Sequence, residues 1–118
     1  MKILGYVDKH ELECLYAAAR LFVLPSLMEG FGFPVLEAMR AGCPVACSRT
    51  AALPEVGGNA ARYFDPHNVD EMASVMEQLL YDEGLRNLCI ERGKENVRRF
   101  SWERCARETI LLIRNAQR

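Results

Sequence analysis

The sequence predicts an α/β fold, a parallel sheet of about four short strands with flanking helices. Three observations lead there. Four short apolar runs, at residues 3–7, 21–24, 44–47 and 61–64, read as strands. Segments of helical length or helical period separate them, the pattern of right-handed crossover units in a parallel sheet. Half of the 118 residues are apolar, so a single domain of this size can build its core without disulfides or metal.

The elements follow in order. After the run at 3–7, Asp8 is suited to cap a helix, with Glu11 at the reciprocal position of a capping box. Leu12, Leu15, Tyr16 and Ala19 then recur at helical spacing. The run at 21–24 shows no polar alternation and is closed by Pro25, which reads as a strand buried on both faces. A glycine-punctuated loop follows, Glu29-Gly30-Phe31-Gly32-Phe33. Pro34 opens the next helix, where its missing N–H costs nothing. Gly42 supplies a left-handed stop and Pro44 blocks extension. The strand at 44–47 leads to a loop, residues 50–58, with room for one helical turn.

The strand at 61–64 ends at Asp65-Pro66, and the remainder is helical. Asn68 and Glu71 match a second capping box. Val69, Met72, Ala73, Met76, Leu79 and Leu80 form the expected apolar face. Gly84 is expected to break the chain, and a helix to about Arg98 carries Leu85, Leu88 and Cys89. Ser101 is placed to cap a last helix with a stripe of Trp102, Cys105, Ala106, Thr109, Ile110, Ile113 and Ala116.

Composition narrows the function classes. No apolar run approaches the ~18–20 residues a membrane helix needs. The first residues lack the pattern of a signal peptide. Five scattered cysteines, an odd number, argue against a disulfide framework and for reduced, mostly buried thiols in a cytoplasmic protein. Cys43 and Cys47 have no second ligand pair, so no metal site is expected. The net charge of −1 is unevenly placed. Residues 1–83 hold six Lys/Arg against twelve Asp/Glu, and residues 84–118 hold nine against four. The basic stretch suits peripheral contact with an anionic membrane or an acidic partner. The favoured reading is a solvated helix face closed by pairs such as Glu91 with Lys94 and Glu95 with Arg98 or Arg99. No nucleic-acid motif interleaves aromatics with these charges.

The chemistry concentrates at residues 26–37. Ligands of open parallel sheets sit beyond the carboxyl ends of the strands. The loop after 21–24 leaves such an end and opens a helix, whose first amides, near Val35 and Leu36, favour an anion. Gly30 and Gly32 let a ligand approach the backbone. Glu29 and Glu37 bracket the loop. Being negative, they suit hydroxyls rather than phosphate. Amides for phosphate, with a carboxylate on either side for hydroxyls, describe a sugar–diphosphate–ribose ligand. The plain alternatives are a tight connection, a Glu placed for the helix dipole, and Phe31 and Phe33 as core plugs.

The stretch Glu29-Gly30-Phe31-Gly32-Phe33-Pro34-Val35-Leu36-Glu37-Ala38-Met39 resembles the signature of the retaining family-four glycosyltransferases of the GT-B fold. Leu24-Pro25-Ser26, Gly42-Cys43-Pro44-Val45, Leu53-Pro54-Glu55-Val56, Phe64-Asp65-Pro66 and Phe100-Ser101-Trp102-Glu103 agree with it. The resemblance covers essentially the whole chain. It implies a partial Rossmann-like sheet over residues 1–100, from the C-terminal, nucleotide-sugar-binding half of a GT-B enzyme. Residues 101–118 would be the helix that packs back toward the N-terminal domain. It also implies transfer from a nucleotide-diphosphate sugar with retention and without a metal or other cofactor. By the same resemblance, Glu29 is catalytic and contacts donor-sugar hydroxyls near the anomeric carbon, and Glu37 binds the ribose hydroxyls. Gly30, Phe31, Gly32 and Phe33 would line the sugar, and Val35 and Leu36 the diphosphate.

The N-terminal acceptor domain of that family, and the Arg/Lys pair that neutralises the leaving diphosphate, have no counterpart in these residues. The chain alone is therefore expected to be inactive, and to pair as a homodimer to cover an exposed sheet edge. The competing classes are a non-catalytic nucleotide-binding or assembly module, and another GT-B enzyme such as an epimerase or phosphorylase. An in-frame acceptor domain upstream would dismiss the first, and a product assay would decide the second.

Overall fold

Three strands, β1 (Phe22–Leu24), β2 (Val45–Ser48) and β3 (Arg62–Phe64), form one parallel sheet in that order. The computed structural model describes residues 5, 7–27, 32–50 and 53–116, with the backbone alone for 101–116. The register sets Leu24 beside Cys47 and Ser48 beside Phe64, so all three carboxyl ends share one edge. The helices are α1 (Lys9–Ala18), α2 (Phe33–Arg40), α3 (Leu53–Gly57), α4 (Val69–Tyr81) and α5 (Glu83–Ala116). The fourth strand expected at 3–7 lies outside the described residues.

The core is built on β2, which is buried at every position. Side chains of a strand alternate between faces. Val45 and Cys47 pack with Val35, Ala38, Met39, Tyr16 and Leu53 on one face. Ala46 packs with Phe64, Val75, Leu79 and Cys89 on the other. The strand expected to be buried on both faces, residues 21–24, is only half-buried. The physical reason is position: β2 has a strand on each side, whereas β1 stands at the end of the described sheet.

Local signals set the helix ends. Asp8 accepts from the Glu11 amide at 2.9 Å and starts α1. At the end of α2, Gly42 takes φ +80°. Its N–H donates to Met39 at 3.0 Å and that of Cys43 to Ala38 at 3.0 Å, the paired bonds of a Schellman stop. Asn68 caps α4 through the Glu71 amide at 3.0 Å. The return half of that capping box is not made. The Glu71 carboxylate instead accepts from Arg49 at 2.7 Å and from the Asp65 amide at 3.3 Å, and the Asn68 N–H donates to the Asp65 carbonyl at 2.9 Å.

The C-terminal helices differ from expectation in three ways. The break falls at Asp82 rather than Gly84. Asp82 leaves the helical region and accepts from the Leu85 amide at 3.0 Å, capping α5. The backbone is then helical without interruption from Glu83 to Ala116, so Ser101 starts no new helix. Nothing between Arg98 and Trp102 is a Gly or Pro that would stop the turn. The buried face of α4 is also rotated. Val75 and Leu79 are buried, while Val69 is 72% exposed and Ala73 faces solvent. On α5, Leu88 is exposed. The face turned inward is Arg86, Cys89, Gly93 and Asn96.

The basic residues of α5 serve this packing. The intrahelical pairs expected at Glu91–Lys94 and Glu95–Arg98 or Arg99 do not close; among the described residues the ion pairs are Arg20–Glu83, Arg49–Glu71 and Arg86–Glu83. Buried Arg86 donates to the carbonyls of Leu79 at 2.8 Å and Arg20 at 2.7 Å. Arg20 donates to that of Leu80 at 2.7 Å. Two cations thus sit at the carbonyl end of α4, where the helix dipole favours them.

Candidate functional site

The site is assembled at the carboxyl edge of the sheet. Two hydroxyls extend the β1–β2 seam past the strands. Ser48, fully buried, donates to the Leu24 carbonyl at 3.2 Å, and Thr50 donates to that of Ser26 at 3.0 Å. The chain leaving β1 is thereby tied to the chain leaving β2 before the glycine loop begins.

Gly32 begins α2 as its N-cap, with φ +89° and ψ +35°. Such a left-handed conformation disfavours any residue with a Cβ. Space adds a second demand. A Cβ at this position would stand 2.8 Å from Leu53 Cδ2. Leu53 is fully buried at the start of α3, so α3 is the wall behind the turn. Pro34 is the second helical residue, not the first as expected, because the helix opens at Phe33.

The start of α2 offers fewer amides than the sequence suggests. Pro34 has no N–H, and the Val35 N–H donates to the Gly32 carbonyl at 3.0 Å. The Val35 side chain is fully buried in the core beneath. Leu36 is half-buried and Glu37 is exposed. Phe33 is 48% exposed, so it does not plug the core. The structure thus places Gly32, Phe33, Val35, Leu36 and Glu37 within the first turn and a half of one helix. Glu29, Gly30 and Phe31 lie outside the described residues.

Some residues around the site were not singled out as functional from the sequence. Tyr16, on α1, is 8% exposed and meets Phe22 of β1 edge-on, with ring centroids 5.3 Å apart. Burial pushes its hydroxyl above the ordinary tyrosine range. The carboxylate of Glu37, as a nearby charge and as a hydrogen-bond partner, pushes it further. Tyr16 therefore stays a protonated donor at neutral pH. Behind the site, the hydroxyl of Tyr63 donates to the Gly58 carbonyl at 2.7 Å. Asn96 of α5, 8% exposed, donates to the Val56 carbonyl at 2.7 Å and contacts Met39 Sδ at 3.4 Å. Arg99 reaches the Glu55 carbonyl at 3.4 Å. These donors satisfy the carbonyl end of α3, a short helix that cannot satisfy it alone. Only the spacing of Tyr16 on α1 could have signalled any of them.

The thiols near the sheet are not candidates for chemistry. Burial raises the Cys47 thiol to about 12 and raises Cys43 and Cys89 as well, which keeps them protonated and inert.

Residues 1–96 match the family described as "Glycosyl transferases group 1". The chain is 47% identical over 110 residues to O-antigen chain mannosyltransferase B of Escherichia coli, covering 93% of this chain and 29% of that protein. It is 40% identical over 114 residues to the MMP alpha-(1->4)-mannosyltransferase of Mycolicibacterium hassiacum, covering 93% and 28%. Among solved structures it superposes on sucrose-phosphate synthase from Thermosynechococcus elongatus with a TM-score of 0.82 at 28% identity, covering 96% of this chain and 29% of that one. The chain thus spans less than a third of each of these relatives.

Proposed function

We propose, since this chain belongs to the group 1 glycosyl transferases, that it forms the donor side of an enzyme moving a sugar from a nucleoside-diphosphate sugar to an acceptor with retention. The observation that carries the reading is the left-handed Gly32 turn opening α2 at the carboxyl edge of the sheet, with Glu37 exposed five residues later. Glu37 accepts from the ribose hydroxyls. The start of α2, at Val35 and Leu36, faces the diphosphate with the positive end of its dipole. The Val35 amide then shares its hydrogen between Gly32 and phosphate. Gly30, Phe31, Gly32 and Phe33 line the sugar, and Glu29 acts on hydroxyls near the anomeric carbon. Two relatives are named for mannosyl transfer, so a mannosyl group is the first donor sugar to try.

Transfer in this reading needs the acceptor-binding domain, and the isolated chain at most hydrolyses its donor slowly. The reading includes a cytoplasmic site of action; no helix among the described residues is long and apolar enough to cross a membrane. It also includes a homodimer and peripheral contact with anionic lipid through the basic stretch 84–118. Titration with nucleotide sugars tests the donor site. Glu37→Ala should weaken binding by about 1–3 kcal/mol, the loss of charge-assisted hydrogen bonds. A titration that moves no amide resonance near Gly32 removes the site.

A further inference from the structure

Thr50 joins the two ends of the glycine loop. Its hydroxyl donates to the Ser26 carbonyl at 3.0 Å, 24 residues back in the chain. Its own carbonyl accepts from the Leu53 N–H at 3.2 Å, at the start of α3. Leu53 is the residue whose Cδ2 stands 2.8 Å from where a Cβ on Gly32 would be. Ser26 precedes the loop and Gly32 closes it, so one residue holds the entry directly and the exit through Leu53. Ser48 makes the same kind of bond one step deeper, to the Leu24 carbonyl at 3.2 Å. Ser48 and Thr50 are two residues apart, as are the two carbonyls they reach, so side chains carry the register of the parallel sheet past the end of β1. Any residue could make the backbone bond to Leu53. The hydroxyl bond is what threonine adds, since valine would fill the same half-buried space.

We propose that Thr50 is a positioning residue for the donor sugar: its hydroxyl fixes the chain at Ser26 while its carbonyl fixes α3, and together they set the two ends of the glycine loop relative to each other. The inference rests on the donor-site reading and extends it to the chain beyond β2, which acts through Ser26 and Leu53 rather than on the ligand. Gly30 and Gly32 belong to the residue type with the most backbone freedom to lose on ordering. Tied ends leave less of that loss to be met by the binding of the sugar. The start of α2 and Glu37 lie beyond Gly32 and are held by the helix itself, so the nucleotide depends less on the bond to Ser26.

The test separates the sugar from the nucleotide in the full-length protein. Binding of GDP is compared with that of GDP-mannose, and UDP with UDP-glucose, for wild type, Thr50→Val, Thr50→Ser and Glu37→Gln. Thermal unfolding confirms that each variant is folded. For the pair that binds, Thr50→Val should weaken the nucleotide sugar by about 3- to 10-fold, the loss of one internal hydrogen bond. It should leave the nucleoside diphosphate within about 2-fold. Thr50→Ser keeps the hydroxyl and should return the sugar affinity to within about 2-fold of wild type. Should Thr50→Val not fold, Thr50→Ala removes the same hydroxyl and carries the same expectations. A merely structural threonine would weaken both ligands alike, and that result overturns the proposal, as does no effect on either or a failure of serine to rescue. The two readings fail separately. If no pair binds, or if Glu37→Gln leaves the nucleoside diphosphate as tight as in wild type, the donor-site reading is wrong and the proposal falls with it. If Glu37→Gln weakens the nucleoside diphosphate while Thr50→Val does not discriminate sugar from nucleotide, the donor site stands and the positioning role falls.

Discussion

Replacing Gly32 by alanine tests the turn on which the site depends. Two costs can be read from the structure. The backbone at φ +89° is left-handed, which costs a residue with a Cβ about 1–2 kcal/mol. The added Cβ would also meet Leu53 Cδ2 at 2.8 Å, with Val56 Cγ1 at 3.7 Å behind it. Leu53 Cδ2 is the far end of a flexible side chain, so the core yields partly, and this term sits at the low end of overpacking, about 1 kcal/mol. The sum is about 2–3 kcal/mol, which should lower the urea midpoint by about 1–2 M. The two terms separate in a double-mutant cycle with Leu53→Ala, itself destabilising through the cavity it leaves. In the Leu53→Ala background the Gly32→Ala cost should fall by about 1 kcal/mol, the contact share, while the backbone share remains. Nucleotide binding should weaken in both backgrounds. If Gly32→Ala unfolds at the wild-type midpoint, the left-handed turn is not there. If the cycle is additive, α3 is not the wall behind it.

Two further results follow from the packing. Asn96→Ala should cost about 1–3 kcal/mol in chemical unfolding, because it leaves the Val56 carbonyl without its 2.7 Å donor; a loss within about 0.5 kcal/mol, the range of ordinary surface changes, would show that the bond does not bridge α5 and α3. Stability should also fall as pH rises above about 9, because the Cys43, Cys47 and Cys89 thiols, Cys47 at about 12, are held protonated by burial while the unfolded chain ionises near the ordinary thiol value. The folded state then binds more protons than the unfolded one. Tyr16 and Tyr63 add to the trend at higher pH for the same reason. Unfolding midpoints that stay flat between pH 8 and 10 (~1–2 units around the thiol range) would contradict it.

How far the fold was legible depended on where each signal lay. Asp8 before Glu11, and Gly42-Cys43-Pro44 after α2, are local chemistry, and they set the ends of α1 and α2 as read from the sequence. The separated apolar runs correctly gave parallel pairing for the three described strands. What failed was any feature decided by a distant partner. Glu71 has the spacing of a capping box, but Arg49, 22 residues away, takes its carboxylate. The inward face of α5 is Arg86, Cys89, Gly93 and Asn96, which no search for an apolar stripe would select. These residues are buried because carbonyls of α3, α4 and the start of β1 need donors, and because Gly93 lets α5 approach Met39, 3.2 Å from where a Cβ would be. At the site, the helix opens at Phe33, one residue before the start read from Pro34, and Glu37 is exposed. The Val35 amide is engaged by the Gly32 carbonyl three residues before it, a bond of the helix's first turn that the sequence reading left out, whereas the burial of Tyr16 depends on tertiary packing.

The arginines bear on the charge requirement of the proposed chemistry. A leaving diphosphate develops negative charge that fixed positive groups must stabilise. Several arginines of this chain already have partners in the fold. Arg20 and Arg49 are paired with Glu83 and Glu71, and Arg86, Arg92 and Arg99 donate to backbone carbonyls. Arg40 is at the wrong end of α2, in its last turn. Recruiting Arg49 to a phosphate would break its 2.7 Å contact to Glu71, and recruiting Arg99 would strip a donor from the helix that backs Gly32. On the proposed function, the cations that meet the diphosphate are therefore to be sought outside these six arginines. Neutralising Arg49 or Arg99 should change stability more than it changes the affinity for a nucleoside diphosphate, whereas a cation acting on the diphosphate would show the reverse.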